Sequence, residues 1–225
     1  SPTETEGGFT VTLDDRPVKT PAKRALVMPT QALARAVAKE WDAQEGEVNP
    51  NTMPVPRAVN AAIDKVAQQH TEVADLLAAY GDSDLLCYRA ESPEGLVARQ
   101  AAAWDPLLDW ADDTFGARRT PTVGLMPRPQ NPDHLARLSK EVHAMDAFTL
   151  TAFHDLVGLS GSLIIGFAAL RDHGKVEDLW LTSRIDELWQ EEQWGKDEEA
   201  TAMAAAKRDQ FLAAKRFAIL VNAQA

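Results

Sequence analysis

The chain has 225 residues, 45% of them hydrophobic and 25% charged, an ordinary globular balance with length enough for one large domain or two small ones. Its 23 Lys and Arg against 34 Asp and Glu leave a formal net charge of -11. That argues against a nucleic-acid partner, because phosphate binding rests on Lys and Arg. One cysteine, Cys87, excludes an intramolecular disulfide and a multi-cysteine zinc site.

The opening SPTETEGG carries neither the basic nor the apolar region of a secretory signal, so none is expected. FTVTL (9–13) alternates apolar and polar residues, Asp14 and Asp15 offer a turn, and RPVKT (16–20) is a return strand. A third short run, ALVM (25–28), stops at Pro29. These strands predict a small antiparallel sheet that must pack on something to be stable. Thr30 caps a helix in which Leu33, Val37 and Trp41 recur every four residues, ending near Gly46. EVNPNTMPVPR (47–57) holds three prolines and is read as a linker.

Beyond it the periodicity is helical. Val59, Ile63 and Val66 mark one helix, and Val73, Leu77 and Tyr80 the next. Ser92-Pro93 starts another, with proline at the first helical position. It carries RQAAAWDPLLDW, which Pro106 is expected to kink or interrupt. RRTPTVGLMPRPQ (118–130) is a proline-rich excursion, and Asn131-Pro132 opens a helix with Leu135, Leu138, Val142 and Met145 on one face. The run 148–170 is long enough to span a bilayer, but His154 and Asp155 lie inside it. A single central helix buried among others, with no membrane insertion, is the better reading. A turn at Gly174, a helix through 184–194 and a last helix from Asp197 complete the chain. The last helix has the stripe Ala200, Met203, Lys207, Phe211, Ala214, Ala218 and Val221. The fold class is therefore α+β: a β-rich N-terminal domain with one helix (1–55), then a larger all-helical domain (56–225).

Signatures of catalysis are absent. GLSGSLIIG has the wrong glycine spacing for a phosphate loop, and no nucleophile elbow or HExxH helix occurs. The five histidines are scattered without ligand spacing, and His154 is read as a hydrogen-bonded core residue. Cys87, in LLCY, is read as a buried, inert thiol. No metal or cofactor is expected. RIDELWQEEQWG (184–195) sets two tryptophans among carboxylates. With Leu181, Ile185 and Leu188 as its buried stripe, Glu187, Glu191 and Trp194 fall on another face. Two glutamates on one turn of one helix do not flank a bond as a glycosidase requires. A tryptophan on such a face is an anchor for a partner or is tucked under a neighbouring element.

Six stretches in series, DDRPVKTPA, AKEWDAQ, MPVPRAVNAAID, DLLCYRA, RQAAAWDPLLDW and RIDELWQEEQWGKDEEA, resemble the assembly chaperones of the mitochondrial ATP synthase α subunit. The resemblance runs from about Gly8 to the last helix. It implies an ATP-independent holdase, not an enzyme, which covers the surface of the new α subunit that later meets its β neighbours. It also implies a partner-binding set of Glu187, Trp189, Gln190, Glu191 and Trp194, with Glu187 as the acidic contact. By the same resemblance Trp41 and Asp42 are structural, joining the two domains, and Arg57 and Asp64 fall on motif positions, for which an interdomain ion pair is the plain alternative to a binding role. A bacterial member would be cytoplasmic, a eukaryotic one would work in the mitochondrial matrix, and a monomer is expected. Two other classes stand beside this reading: a helical enzyme with an acidic pocket around Glu187, Glu191 and His154, and a structural subunit or adaptor.

Overall fold

The computed structural model describes residues 1–13, 16–124 and 128–223. The turn expected at Asp14 and Asp15, and residues 125–127 of the proline-rich excursion, lie outside the described residues. The chain forms two compact units, one of Ser1–His70, Met145–Ala152 and Ala213–Ala225, the other of Thr71–Ala144 and Phe153–Leu212.

The first unit holds the sheet. Strands β1 (Pro2–Thr5), β2 (Gly8–Leu13) and β3 (Arg16–Pro17) pair antiparallel in that order, with Thr3 opposite Thr10 and Thr12 opposite Pro17. The run 25–28 contributes bridges rather than a full strand: Phe9 and Met28 exchange both backbone bonds, at 2.9 and 2.8 Å. Gly8 permits this approach, since a Cβ there would collide with the Met28 carbonyl. Helix α1 (Gln31–Asp42) lies on the sheet through Leu33, Ala34 and Val37, all fully buried. The Thr30 hydroxyl accepts from the Leu33 amide at 3.1 Å, as its capping role predicts, and the helix stops at Asp42, short of Gly46.

Helix α2 (Pro54–Asp64) begins inside the stretch read as a linker. Prolines at a helix start forfeit amides that have no intrahelical acceptor anyway, so the proline cluster opens a helix as readily as it spaces two domains. The expected division at 55/56 falls within α2, in the first unit. Glu40 of α1 accepts from the Val55 amide at 3.0 Å; burial pushes its carboxyl up, opposed by that bond and by Arg216. At the far end of α2, Asp64 accepts from the Thr20 hydroxyl at 2.6 Å and the Ala22 amide at 3.1 Å. Its cation is Arg24 at 3.6 Å, not Arg57, which is exposed. Asp64 thus staples α2 to the loop after β3, and no ion pair between Arg57 and Asp64 is formed among the described residues. Trp41 is half-buried on the last turn of α1 and Asp42 is exposed.

Helices dominate the second unit. They are α3 (His70–Ala79), α4 (Glu94–Phe115) and α5 (Pro132–His143), then α6 (Ala147–Ser160) and α7 (Leu163–Leu170). After them come α8 (Val176–Ser183), α9 (Ile185–Trp194) and α10 (Glu198–Val221). Helices α6 and α10 each contribute residues to both units. A short parallel pair joins β4 (Tyr88–Arg89) to β5 (Thr122–Val123).

Three local expectations are overturned. Pro93 precedes α4 instead of occupying its first position, and Ser92 makes no cap. Of the kink or interruption expected at Pro106, the interruption does not occur, and α4 continues to Phe115. Burial of Trp104, Leu107, Leu108 and Ala111 around it outweighs the local penalty of about 3 kcal/mol for an interior proline. The apolar run 148–170 forms two helices, not one: Gly161 turns with φ +71° and Ser162 caps α7, its hydroxyl accepting from Ile165 at 3.0 Å. Buried Asp84 accepts from the Ile164 amide at 3.1 Å and secures the same corner. Among the described residues no helix is long and apolar enough to cross a membrane.

A fourth concerns α10. Its buried residues are Phe211, Ala214, Lys215, Phe217, Ala218 and Val221, all in its second half, whereas Met203 is 55% exposed and Lys207 faces solvent. Alanines at 200, 202, 204, 205 and 206 give the exposed half the highest intrinsic helix propensity, so it holds its form without an apolar cover. Asp197 caps it, accepting from the Ala200 amide at 2.7 Å.

Candidate partner-binding face

Helix α9 is bounded by breaks at both ends. Arg184 leaves helical geometry between α8 and α9, and Gly195, with φ +91°, ends α9. The break at Arg184 shifts the phase of the helical repeat. As a result Leu181, expected in the buried stripe, is 49% exposed, while Leu179 and Trp180 are buried in its place. Ile185 is buried as expected, and Leu188 is half-buried.

One side of α9 faces α4. Gln100 donates to the Asp186 carboxylate at 2.6 Å, and its own amide oxygen accepts from Ala90 at 2.8 Å. The Trp189 ring lies against Gly95, with the Arg99 guanidinium 5.0 Å from its centroid. Both terminal nitrogens of Arg99 donate to Glu192, at 2.8 Å each. That bidentate pair holds the Glu192 carboxyl below its ordinary range and raises Arg99. Nearby on α4, Trp104 donates to the Thr182 carbonyl at 2.9 Å.

The other side is open. At about 100° per residue, Glu187, Gln190, Glu191 and Trp194 fall within an arc of roughly 100°, opposite Ile185, Trp189 and Glu192. Gln190 and Trp194 are exposed, Trp194 by 74%, and Glu187 and Glu191 are partly exposed. Glu187 pairs with Arg184 at 2.7 Å, leaving about half of its side chain accessible. Of the five residues expected to bind a partner, four share the open arc and Trp189 packs behind them.

Acid–base candidates are not gathered at this face. His154, expected in the core, is exposed on α6, where its Nδ1 stands 3.0 Å from Asp155 Oδ1. The helical repeat puts residues 154 and 155 on the side of α6 away from buried Phe153, Leu156 and Val157. The hydrogen bond that His154 donates to Asp155 raises the His154 pKa. The bonded partners of His154 and Glu187 are thus Asp155 and Arg184, and no hydrogen bond among the described residues joins them or Glu191 into a pocket. Cys87 is buried, and desolvation pushes its thiol up to about 11, as an inert sulfur requires. Among the described residues no three His, Cys, Asp or Glu side chains gather as a metal-ligand set.

The α4 partners of α9 escaped the reading of the sequence, although Arg99, Gln100 and Trp104 stand in the RQAAAWDPLLDW stretch. Gly95 and Arg99 one turn apart were the available signal, but only the fold shows which indole lies between them.

Comparison with known proteins gives the family of the chain. The family model described as ATP12 chaperone protein matches residues 1–112. A solved point mutant of Paracoccus denitrificans Atp12p is 47% identical, with a TM-score of 0.97 over 99% of this chain and 95% of that one. The chain belongs to the ATP12 chaperone family. A putative chaperone from Agrobacterium tumefaciens superposes with a TM-score of 0.93 at 41% identity, over 97% of this chain and 82% of its own. The mitochondrial protein atp12 of Schizosaccharomyces pombe is 26% identical over 207 residues, 86% of this chain and 71% of that protein. The ATP12 family model covers the sheet, Trp41, Asp42, Arg57 and Asp64, and stops within α4, before α9. The small antiparallel sheet followed by a larger helical region, expected from the sequence, matches the solved Atp12 structures.

Proposed function

We propose that the chain is an ATP-independent assembly chaperone of the ATP synthase, holding the newly made α subunit by the open arc of α9. Membership of the ATP12 chaperone family supports the chaperone role. Trp194 carries the choice of surface: an indole 74% exposed beside Glu187, Gln190 and Glu191 combines a large apolar anchor with acidic groups. Such a face suits a client patch that is apolar at its centre and basic at its edge, and Trp189 shapes it from behind. Shielding of this kind prevents wrong association of exposed interfaces, and release needs only competition from the true neighbour. With bacterial relatives at 47% and 41% identity, the bacterial cytoplasm is the proposed place of action and a monomer the working form.

The test uses purified chain and isolated α subunit. Aggregation of the α subunit on dilution from denaturant is expected to fall with added chaperone in the absence of ATP. Glu187→Lys is expected to weaken capture while leaving thermal unfolding unchanged, because the side chain is about half exposed and its one ion pair is local. If that variant unfolds, Glu187 is structural and the face is misassigned; if the wild type ignores the α subunit, the client is wrong.

A further inference from the structure

A ten-residue helix is too short to hold itself in water, and its orientation is usually imposed by an apolar stripe. Helix α9 has little of one, since Ile185 is its only buried residue among those described. The breaks at Arg184 and Gly195 also uncouple it from the rotation of its chain neighbours. What faces α4 instead is a polar and aromatic row at 186, 189 and 192, spaced three apart. The centre of the row depends on a missing side chain: a Cβ at Gly95 would stand 2.7 Å from the Trp189 ring. One turn on, Arg99 both covers that ring and grips Glu192 with two bonds.

We propose that Gly95, Arg99 and Glu192 are positioning residues, a clasp around Trp189 that fixes the rotation of α9 about its own axis. A rotation of about 100°, one residue, would turn Trp189 toward solvent and carry part of the open arc against α4. The clasp therefore decides which side chains a partner meets, without touching the partner itself. This inference rests on the partner-binding reading of α9 given above. It assigns Trp189 to the holdfast and leaves Glu187, Gln190, Glu191 and Trp194 as the contact set.

The experiment compares the full-length chain with Arg99→Glu, Glu192→Arg, the double charge swap, and Gly95→Ala. Two quantities are read: capture of isolated ATP synthase α subunit, and hydrogen exchange of the α9 amides. Each single reversal, and Gly95→Ala, is expected to speed exchange in α9 and weaken capture about tenfold. The double swap is expected to restore both, whereas adding it to Glu187→Lys restores nothing. Arg99→Lys, which keeps the charge but loses the planar fork, is expected to fall between. If a charge reversal fails to fold, Glu192→Gln replaces it and is read in the same way. Wild-type capture with undiminished capture by the single variants overturns the clasp and leaves the client reading standing. Absence of capture by the wild type removes the client reading. The clasp is then decided by exchange alone, and unchanged α9 exchange in the single variants overturns it.

Discussion

Helices α7 and α9 have similar lengths, eight and ten residues, but they are held by different forces. In α7 the residues from Leu163 to Ala169 are all buried; in α9 only Ile185 is. Phe167 of α7 meets Phe153 at 4.7 Å and Phe115 at 4.8 Å between ring centroids, while Trp189 of α9 is met by a glycine and a guanidinium. Burial on every side fixes α7 by packing, which tolerates no change of volume. Directional contacts on one side hold α9 and leave its opposite arc free of packing demands. A chaperone needs both: a body that does not deform, and a face whose composition packing does not dictate.

Substitutions that separate the two regimes give the largest effects in α7. Phe167→Ala is expected to cost about 3–5 kcal/mol in urea unfolding, the lost transfer energy plus a cavity. A cost under about 1 kcal/mol would mean that α7 is not the packed element described. Gly166→Ala is a sharper test, because helix propensity alone favours alanine by about 1 kcal/mol. Packing predicts the opposite sign: a Cβ there would lie 2.6 Å from Val157 and 3.0 Å from Phe153, and a loss of about 1–3 kcal/mol is expected.

On α9 the stability effects shrink and the binding effects take over. Trp194→Ala is expected to change stability by less than about 0.5 kcal/mol, since the side chain already faces water. Its capture of α subunit is expected to fall about tenfold. A destabilised variant would put Trp194 under a neighbouring element instead. Acid should loosen the clasp. Arg99 holds Glu192 below the ordinary carboxylate range, so the pairing is intact above that range and is lost as pH falls through the lowered value. A shift in Trp189 fluorescence is expected there, and Glu192→Gln should remove its pH dependence.

The smallest effect belongs to His154 on α6. Its bond to Asp155 raises its pKa above the ordinary 6.5, so any stability it adds is complete below that value and fades as pH rises through the raised one. NMR titration of the ring should show the raised pKa, and Asp155→Asn should return it toward 6.5 with little change in unfolding. A His154 that titrates at or below 6.5 would show the pair to be unformed in solution.

Much of this is legible in the sequence. Period-two alternation marked β2, Thr30 and Asn131 marked helix caps that the structure shows bonded, and spacing alone put Glu187, Glu191 and Trp194 on one arc. Breaks were harder to see. Gly161 and Arg184 divide runs whose composition is uniform, so the single helix expected over 148–170 and the stripe through Leu181 both failed at a change of phase. Pro106 misled in the other direction, because its local cost is known and the burial that exceeds it is not.

What the sequence determined by itself is local: which segments are helical, where caps lie, which side chains share a face, and that six stretches in order resemble one family. Helices, caps and shared faces follow from backbone sterics and a fixed period, which act between residues close in the chain; the resemblance rests on the order of the six stretches. The tertiary structure decided the pairings across long separations: Asp64 with Thr20 and Arg24, Asp84 with Ile164, and Arg99 with Glu192 and Trp189. Their partners lie 40 to 93 residues apart, where neither propensity nor period carries information and only the packed core sets who meets whom.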